Sequence, residues 1–320
     1  MTSKHVVALL VGLLLAGATG SVADELLVDL RAEAQDEIAR AASVEVATRM
    51  IAGKGDAIHQ SVEETTVTLT TGEATYSLQY ACIADEQGRR LPMGAPLSEV
   101  GMITPSPANW YTGGFFDAIV DAMGLAQLPA TVQPLELPAG SAGVRFTWPH
   151  PSGEVDLDLR VFAFDPVLYA VVDLPAGDAR ELKLLCYPNS FEVPRDRWVT
   201  TAARDVQHYD DLRETLEPDE RAWVLYTDRA ADPLLRPSTG PCALVLLPEQ
   251  WASIELAMGA PVRPDWPVMQ NYGVMTTLTP VPGERRLALA LIDFLPITWT
   301  GARATLEEKY PEIQARLRDM

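Results

Sequence analysis

Val155-Asp156-Leu157-Asp158-Leu159-Arg160-Val161, then the turn Asp165-Pro166 and the run Val167-Leu168-Tyr169-Ala170-Val171-Val172, decides the fold of this chain. The first run alternates apolar and charged residues. Val155, Leu157, Leu159 and Val161 therefore share one face of a strand, and Asp156, Asp158 and Arg160 share the other, wet face. Asp-Pro turns the chain back. The return run is apolar on both faces, so it belongs deeper in a sheet.

The same signature extends in both directions. Residues 65–71 alternate, and Gly72-Glu73 makes a tight turn into Thr75-Tyr76-Ser77-Leu78-Gln79-Tyr80, a hairpin pattern. Further strand-like runs lie near 132–137, 143–149, 181–187, 197–202, 222–227, 242–247, 252–257, 272–279 and 285–294. Most of the 25 Pro and 21 Gly fall between them. No helical crossovers separate them, which excludes a parallel α/β sheet and predicts an antiparallel sandwich. Leu287-Ala288-Leu289-Ala290-Leu291-Ile292 and Ala243-Leu244-Val245-Leu246-Leu247 are apolar on both faces. They read as central strands with a helix or second sheet as the second cover, and Leu289 reads as core.

The ends read as helical. Leu27, Leu30, Ala34, Ile38, Ala41, Val44, Ala47 and Ile51 recur at helical steps, and Gly53 and Gly55 close the segment. Val44, Val46, Thr48 and Met50 also alternate as a strand would, but the longer helical period is favoured. Near the other end, Thr305 and Glu308 form a capping-box pair, and Pro311 suits the first position of a last short helix edged by Ile313 and Leu317.

The predicted class is mainly β: a large antiparallel two-sheet β-sandwich with an N-terminal helix and short C-terminal helices. The expected segments are 24–56, helical, and 57–320, a single sandwich. The alternative is two sandwiches split near 203–220, a charged stretch without Gly that reads as helix or ordered loop. In size and strand pattern the chain resembles the supersandwiches of galactose-mutarotase-like and polysaccharide-lyase proteins. No family motif accompanies that resemblance, which implies a fold and not an activity.

Residues 1–23 read as a secretory signal. Lys4 precedes an uncharged apolar run, Val6 to Ala18, and Ser21-Val22-Ala23 is an A-x-A-like cleavage site. The run is shorter than the roughly 20 residues a spanning helix needs. The expectation is an exported, soluble protein, periplasmic or extracellular, without an integral membrane segment.

The chain has 25 basic and 44 acidic side chains and a formal net charge of −19. Such a field disfavours nucleic acid and anionic lipid partners, and no basic patch offsets it. Cys82, Cys186 and Cys242 each lie in an apolar run without CxxC spacing. They read as buried thiols, with one bridge plus one free thiol as the alternative.

No phosphate-binding, dinucleotide or nucleophile-elbow motif is present, and no cofactor is expected. His150, in a Pro-rich turn, reads as exposed. His208 is the strongest titrating candidate, with Asp210 among the carboxylates beside it, because a carboxylate–imidazole pair suits acid/base work. The pairs Asp117/Asp121 and Asp228/Asp232 would share a face on a helix.

Two aromatic-polar clusters carry the clearest functional signal. One holds Asn109, Trp110 and Tyr111; the other holds Arg263, Asp265, Trp266, Asn271 and Tyr272. Flat rings beside planar hydrogen-bonding groups are what a sugar site needs. The expected role is carbohydrate-related, binding or processing a neutral glycan. The alternative is a non-catalytic structural or interaction component of the cell envelope, with the aromatics as core. A pocket joining 109–116, 263–272 and His208 would discriminate between them.

Overall fold

The computed structural model describes residues 37–38, 41–52, 61–87, 89–91, 100–103, 115–176, 180–186, 197–208, 213–228, 241–258, 274–294 and 299–320. Residues 1–23, read as a secretory signal, and most of the predicted N-terminal helix lie outside them.

Three antiparallel sheets form the body. A five-stranded sheet contains β1 (Ser43–Ala52), β2 (Ser61–Thr70), β3 (Thr75–Ala84), β4 (Arg90–Leu91) and β5 (Gly101–Ile103). A six-stranded sheet contains β6 (Phe116–Val120), β7 (Met123–Gly124), β12 (Arg180–Cys186), β15 (Arg213–Thr215), β18 (Trp251–Met258) and β19 (Val274–Pro280). Its order is β15-β18-β19-β12-β6-β7. A nine-stranded sheet contains β8 (Thr131–Pro134), β9 (Ser141–Trp148), β10 (Val155–Phe162), β11 (Val167–Asp173) and β13 (Arg197–Thr201). Its remaining strands are β14 (Asp205–His208), β16 (Trp223–Asp228), β17 (Cys242–Leu246) and β20 (Arg286–Asp293). The sheet runs β14-β13-β16-β17-β20-β11-β10-β9-β8, so strands from both sides of 203–220 pair within it.

Period-two patterning explains the layers. Leu287, Leu289 and Leu291 join the main core, which also holds Val67, Leu78, Leu182, Leu256 and Leu278 from the two smaller sheets. Those two sheets together supply the layer facing the nine-stranded one. A single described bridge, Val100 to Phe116, links them. The predicted second layer is thus split in two. Ala288, Ala290 and Ile292 face the other way and pack with Ala243, Val245, Ala302, Leu306, Ile313 and Leu317. The last four belong to α1 (Trp299–Arg318), the helix that covers the outer face of the central strands.

Several expectations need correction. Residues 43–52 form β1, paired along its length with β2, and not the end of a helix. Cross-strand pairing outweighs the helical period that the same residues allow. Residues 203–220 supply β14, β15 and a short 3-10 turn at Pro218–Glu220, where Glu217 and Glu220 cap each other. Pro311 lies inside one continuous helix. The ring costs a backbone hydrogen bond, but buried Ala302, Leu306, Ile313 and Leu317 hold the helix to the sheet on both sides of it. The face of β10 predicted to be wet is closed at Asp158, which is 1% exposed.

Cross-strand register accounts for Asp158. Arg145 stands directly opposite on β9. Its Nε and Nη2 donate to the two carboxylate oxygens at 2.6 and 2.9 Å, and Arg160 Nη2 donates at 2.7 Å. Burial pushes the Asp158 carboxyl up, but these hydrogen bonds and charges more than reverse that and hold it below the ordinary carboxylate range.

His150 is also buried, at 6% exposure. Its Nδ1 accepts the Ser152 N–H at 3.0 Å, so Nε2–H donates to the Val120 carbonyl at 3.1 Å, tying the turn after β9 to β6. His150→Ala leaves both backbone groups short of a partner and is expected to cost about 1–3 kcal/mol, measurable by urea unfolding. No loss would mean that this tie between the layers contributes nothing.

Asp117 and Asp121 are not on a helix. Asp117 is in β6, and Asp121 with Ala122 forms the tight β6–β7 turn at φ 48° and 65°. Cys82 is a buried free thiol and Cys242 is buried too, in line with the apolar runs that hold them.

Candidate functional site

The sandwich has two unlike ends. At one end the connections are short: β6–β7, β9–β10, β13–β14 and β19–β20 close through tight turns. At the other end β12 leads into 187–196, β16 into 229–241 and β18 into 259–273, and 104–115 leads into β6. β14 of one layer ends there and β15 of the other begins there. Register fixes the alignment. Met258 pairs with Val274, Cys186 with Val274, and Leu184 with Phe116. Long connections gathered at one end of a rigid sheet are where binding groups are usually carried.

Every predicted ligand-binding residue falls in those connections and outside the described residues. Asn109, Trp110 and Tyr111 precede β6, and Arg263, Asp265, Trp266, Asn271 and Tyr272 lie between β18 and β19. Asp210 follows β14 and is also outside them. The backbone of His208 ends β14, opposite Arg197, at the same end of the sandwich. Strands β19 and β6 are separated only by β12. At two strand spacings, the anchor of the second aromatic segment stands about 10 Å from that of the first. Asp228 ends β16, and Asp232 is outside the described residues.

The described side chains beneath this end are fixed. Phe115 and Phe116 are buried, with the Phe116 ring 6.3 Å from that of Trp148. The Tyr226 hydroxyl and Thr276 Oγ1 lie 2.6 Å apart and join the two layers. The Tyr76 hydroxyl donates to the Pro166 carbonyl. Burial raises the Tyr76 phenol well above its ordinary range, and the nearby Asp293 and Asp165 add to the effect. These groups hold a floor in place; nothing in them marks a nucleophile. Among the described residues no cluster of His, Cys, Asp and Glu could hold a metal ion.

A cleft of about 690 Å³ lies at the opposite, short-turn end of the six-stranded sheet, lined by Ile119, Arg180, Glu181, Pro280, Val281 and Pro282 among others. Its size is that of a small-molecule site. Arg180 Nη1 donates to the Glu284 carbonyl at 2.8 Å, and Glu181 lies 3.6 Å from Lys183. Sequence reading gave no signal for this cleft, because its wall comes from strand ends distant in sequence. Its described lining holds none of the strand ends that lead into the aromatic segments.

The outer face of the six-stranded sheet carries a transverse polar row: Thr215, Glu255, Thr277, Lys183 and Asp117, neighbours by register. Burial pushes the Asp117 carboxyl up, against backbone N–H donors from Ala118, Ala126 and Leu125 and the charge of Lys183. A proton on Asp117 is therefore lost later than from a free carboxyl.

No protein-family model matches this chain, and no curated protein matches it in sequence. Among solved structures, 45 chains match. One is an alpha-mannosidase from Enterococcus faecalis V583: TM-score 0.46, 8% identity, 86% of this chain and 38% of that one. This chain therefore spans well under half of the mannosidase. A putative aldose 1-epimerase from Klebsiella pneumoniae subsp. pneumoniae MGH 78578 gives 0.43 at 12% identity, covering 85% of this chain and 96% of that one. A GH36 alpha-galactosidase, AgaB, from Geobacillus stearothermophilus gives 0.37 at 10%, covering 71% and 39%. Likeness at this level identifies neither a substrate nor a residue. Among the described residues no helix is long and apolar enough to cross a membrane.

Proposed function

We propose that this protein is an exported sandwich that binds a neutral glycan at its long-connection end. One observation carries the reading: both aromatic-polar segments are anchored at the same end of one sheet, two strands apart, and β14 brings His208 to that end from the facing layer. In this reading Trp110, Tyr111, Trp266 and Tyr272 are stacking platforms. Asn109, Arg263, Asp265 and Asn271 read hydroxyl groups. His208, with Asp210, is the acid/base pair if the bound glycan is also processed. A formal charge of −19 favours a neutral ligand over a polyanion.

The test is a glycan-array screen of the mature protein, followed by Trp266→Ala. The variant is expected to abolish binding of the neutral oligosaccharide found, with stability held within about 0.5 kcal/mol, the usual surface range. A stability loss of about 3–5 kcal/mol, as for a truncated core Trp, would remove the platform role and favour the structural alternative.

A further inference from the structure

A second, smaller site lies where α1 meets the β10–β11 connection, on the helix-covered outer face of the nine-stranded sheet. It is a notch of about 130 Å³ lined by Phe164, Asp165, Tyr169, Lys309, Glu312 and Arg316, with apolar neighbours. That volume is close to the space that admits a single six-membered ring.

Phe164 is the unusual member. Its φ is +60°, a left-handed conformation that a bulky side chain rarely adopts. The Asp165 N–H donates to the Phe162 carbonyl at 3.2 Å, closing a turn whose third residue is Phe164, a place that suits Gly. Phe164 is nonetheless 36% exposed, among the largest exposures of any described large apolar residue. One edge of the ring lies over Gly72 of the β2–β3 turn, and the residue also lines the notch. Backbone strain of this kind clusters at ligand clamps.

The polar groups opposite are already oriented. Asp165 Oδ2 accepts the Tyr169 hydroxyl at 2.8 Å, and Oδ1 accepts the Val167 N–H at 3.1 Å. A carboxylate offers about four acceptor sites, so Asp165 keeps capacity. The Arg316 guanidinium lies 4.3 Å from the Phe162 ring centroid and 5.6 Å from that of Tyr169, which fixes its plane. Its Nε is 3.9 Å from Asp165, and its Nη2 is 3.8 Å from Glu312, which is 73% exposed. Lys309 adds three more donors from the same helix. Two cations and two carboxylates leave the notch without a net sign, so it selects neither an anion nor a cation.

We propose that this notch binds one neutral pyranose-sized ring, its apolar face on Phe164 and its hydroxyls on Asp165, Lys309 and Arg316. The proposal stands independently of the glycan reading at the long-connection end.

The test is calorimetric titration of the full chain with methyl α-glucopyranoside, methyl α-galactopyranoside and, as a charged comparison, glucuronate. At least one neutral methyl glycoside is expected to give saturable heat. Phe164→Gly and Lys309→Met should each weaken that binding about tenfold or more. Gly suits φ +60°, so Phe164→Gly should keep or raise the melting temperature. No saturable heat from either neutral probe would overturn the proposal, as would binding unchanged in Phe164→Gly or preference for glucuronate. Binding lost in Trp266→Ala would assign the ring to the aromatic-polar segments, and a fall in melting temperature for Phe164→Gly would make the Phe164 side chain a packing element.

Discussion

Leu289→Ala is expected to cost about 2–5 kcal/mol of folding stability through lost transfer energy and the cavity left behind. Leu289 is fully buried in β20, with Ala170 on one neighbouring strand and Leu246 on the other. Its side chain enters the core shared with the two smaller sheets. Both flanking strands are themselves paired further out, so the site has little room to collapse. Urea unfolding of the protein measures the loss. A change under about 0.5 kcal/mol, typical of surface substitutions, would contradict the placement of β20 at the centre of the sandwich.

Asp158→Ala is expected to be comparably damaging, about 3–5 kcal/mol, because removing one partner strands the others. Arg145 and Arg160 are 31% and 20% exposed, so water relieves part of that cost and the lower figure is favoured. The pH dependence gives a sharper signature. Asp158 has a carboxyl held below its ordinary range in the folded protein. Its contribution is present above the unfolded carboxylate range, about pH 4, and is lost as pH falls through the lower folded value. The native protein should therefore lose stability on acidification below about pH 4 more steeply than Asp158→Ala. Parallel acid profiles for the two would contradict the buried triad.

Alternation made the long strands legible. β9, β10, β11, β17 and β20 lie within a few residues of their predicted positions, because each buries at least one face and period two is then enforced by packing. The second cover demanded by the doubly apolar β17 and β20 is α1 on one side and the smaller sheets on the other. Segments whose local pattern permits two periods were misread. In β1, Val44 and Val46 satisfy both, and only pairing with Leu69 and Val67 decides. Asp158 and His150 were misjudged for a related reason. One strand cannot reveal that Arg145 stands opposite, nor one turn that Val120 offers a carbonyl. The aromatic-polar segments were legible as composition. Their common anchorage was not, since it depends on β12 lying between β6 and β19.

The central claim, that a neutral glycan binds at the long-connection end, is tested most directly by backbone amide shifts in the ¹⁵N-labelled protein titrated with the neutral oligosaccharide from the array. The account predicts shifts concentrated at Phe116, His208, Arg213 and Val274, the residues from which the long connections leave. Shifts centred on Arg180, Glu181 and Gly283 would place the ligand in the cleft at the opposite end and contradict it.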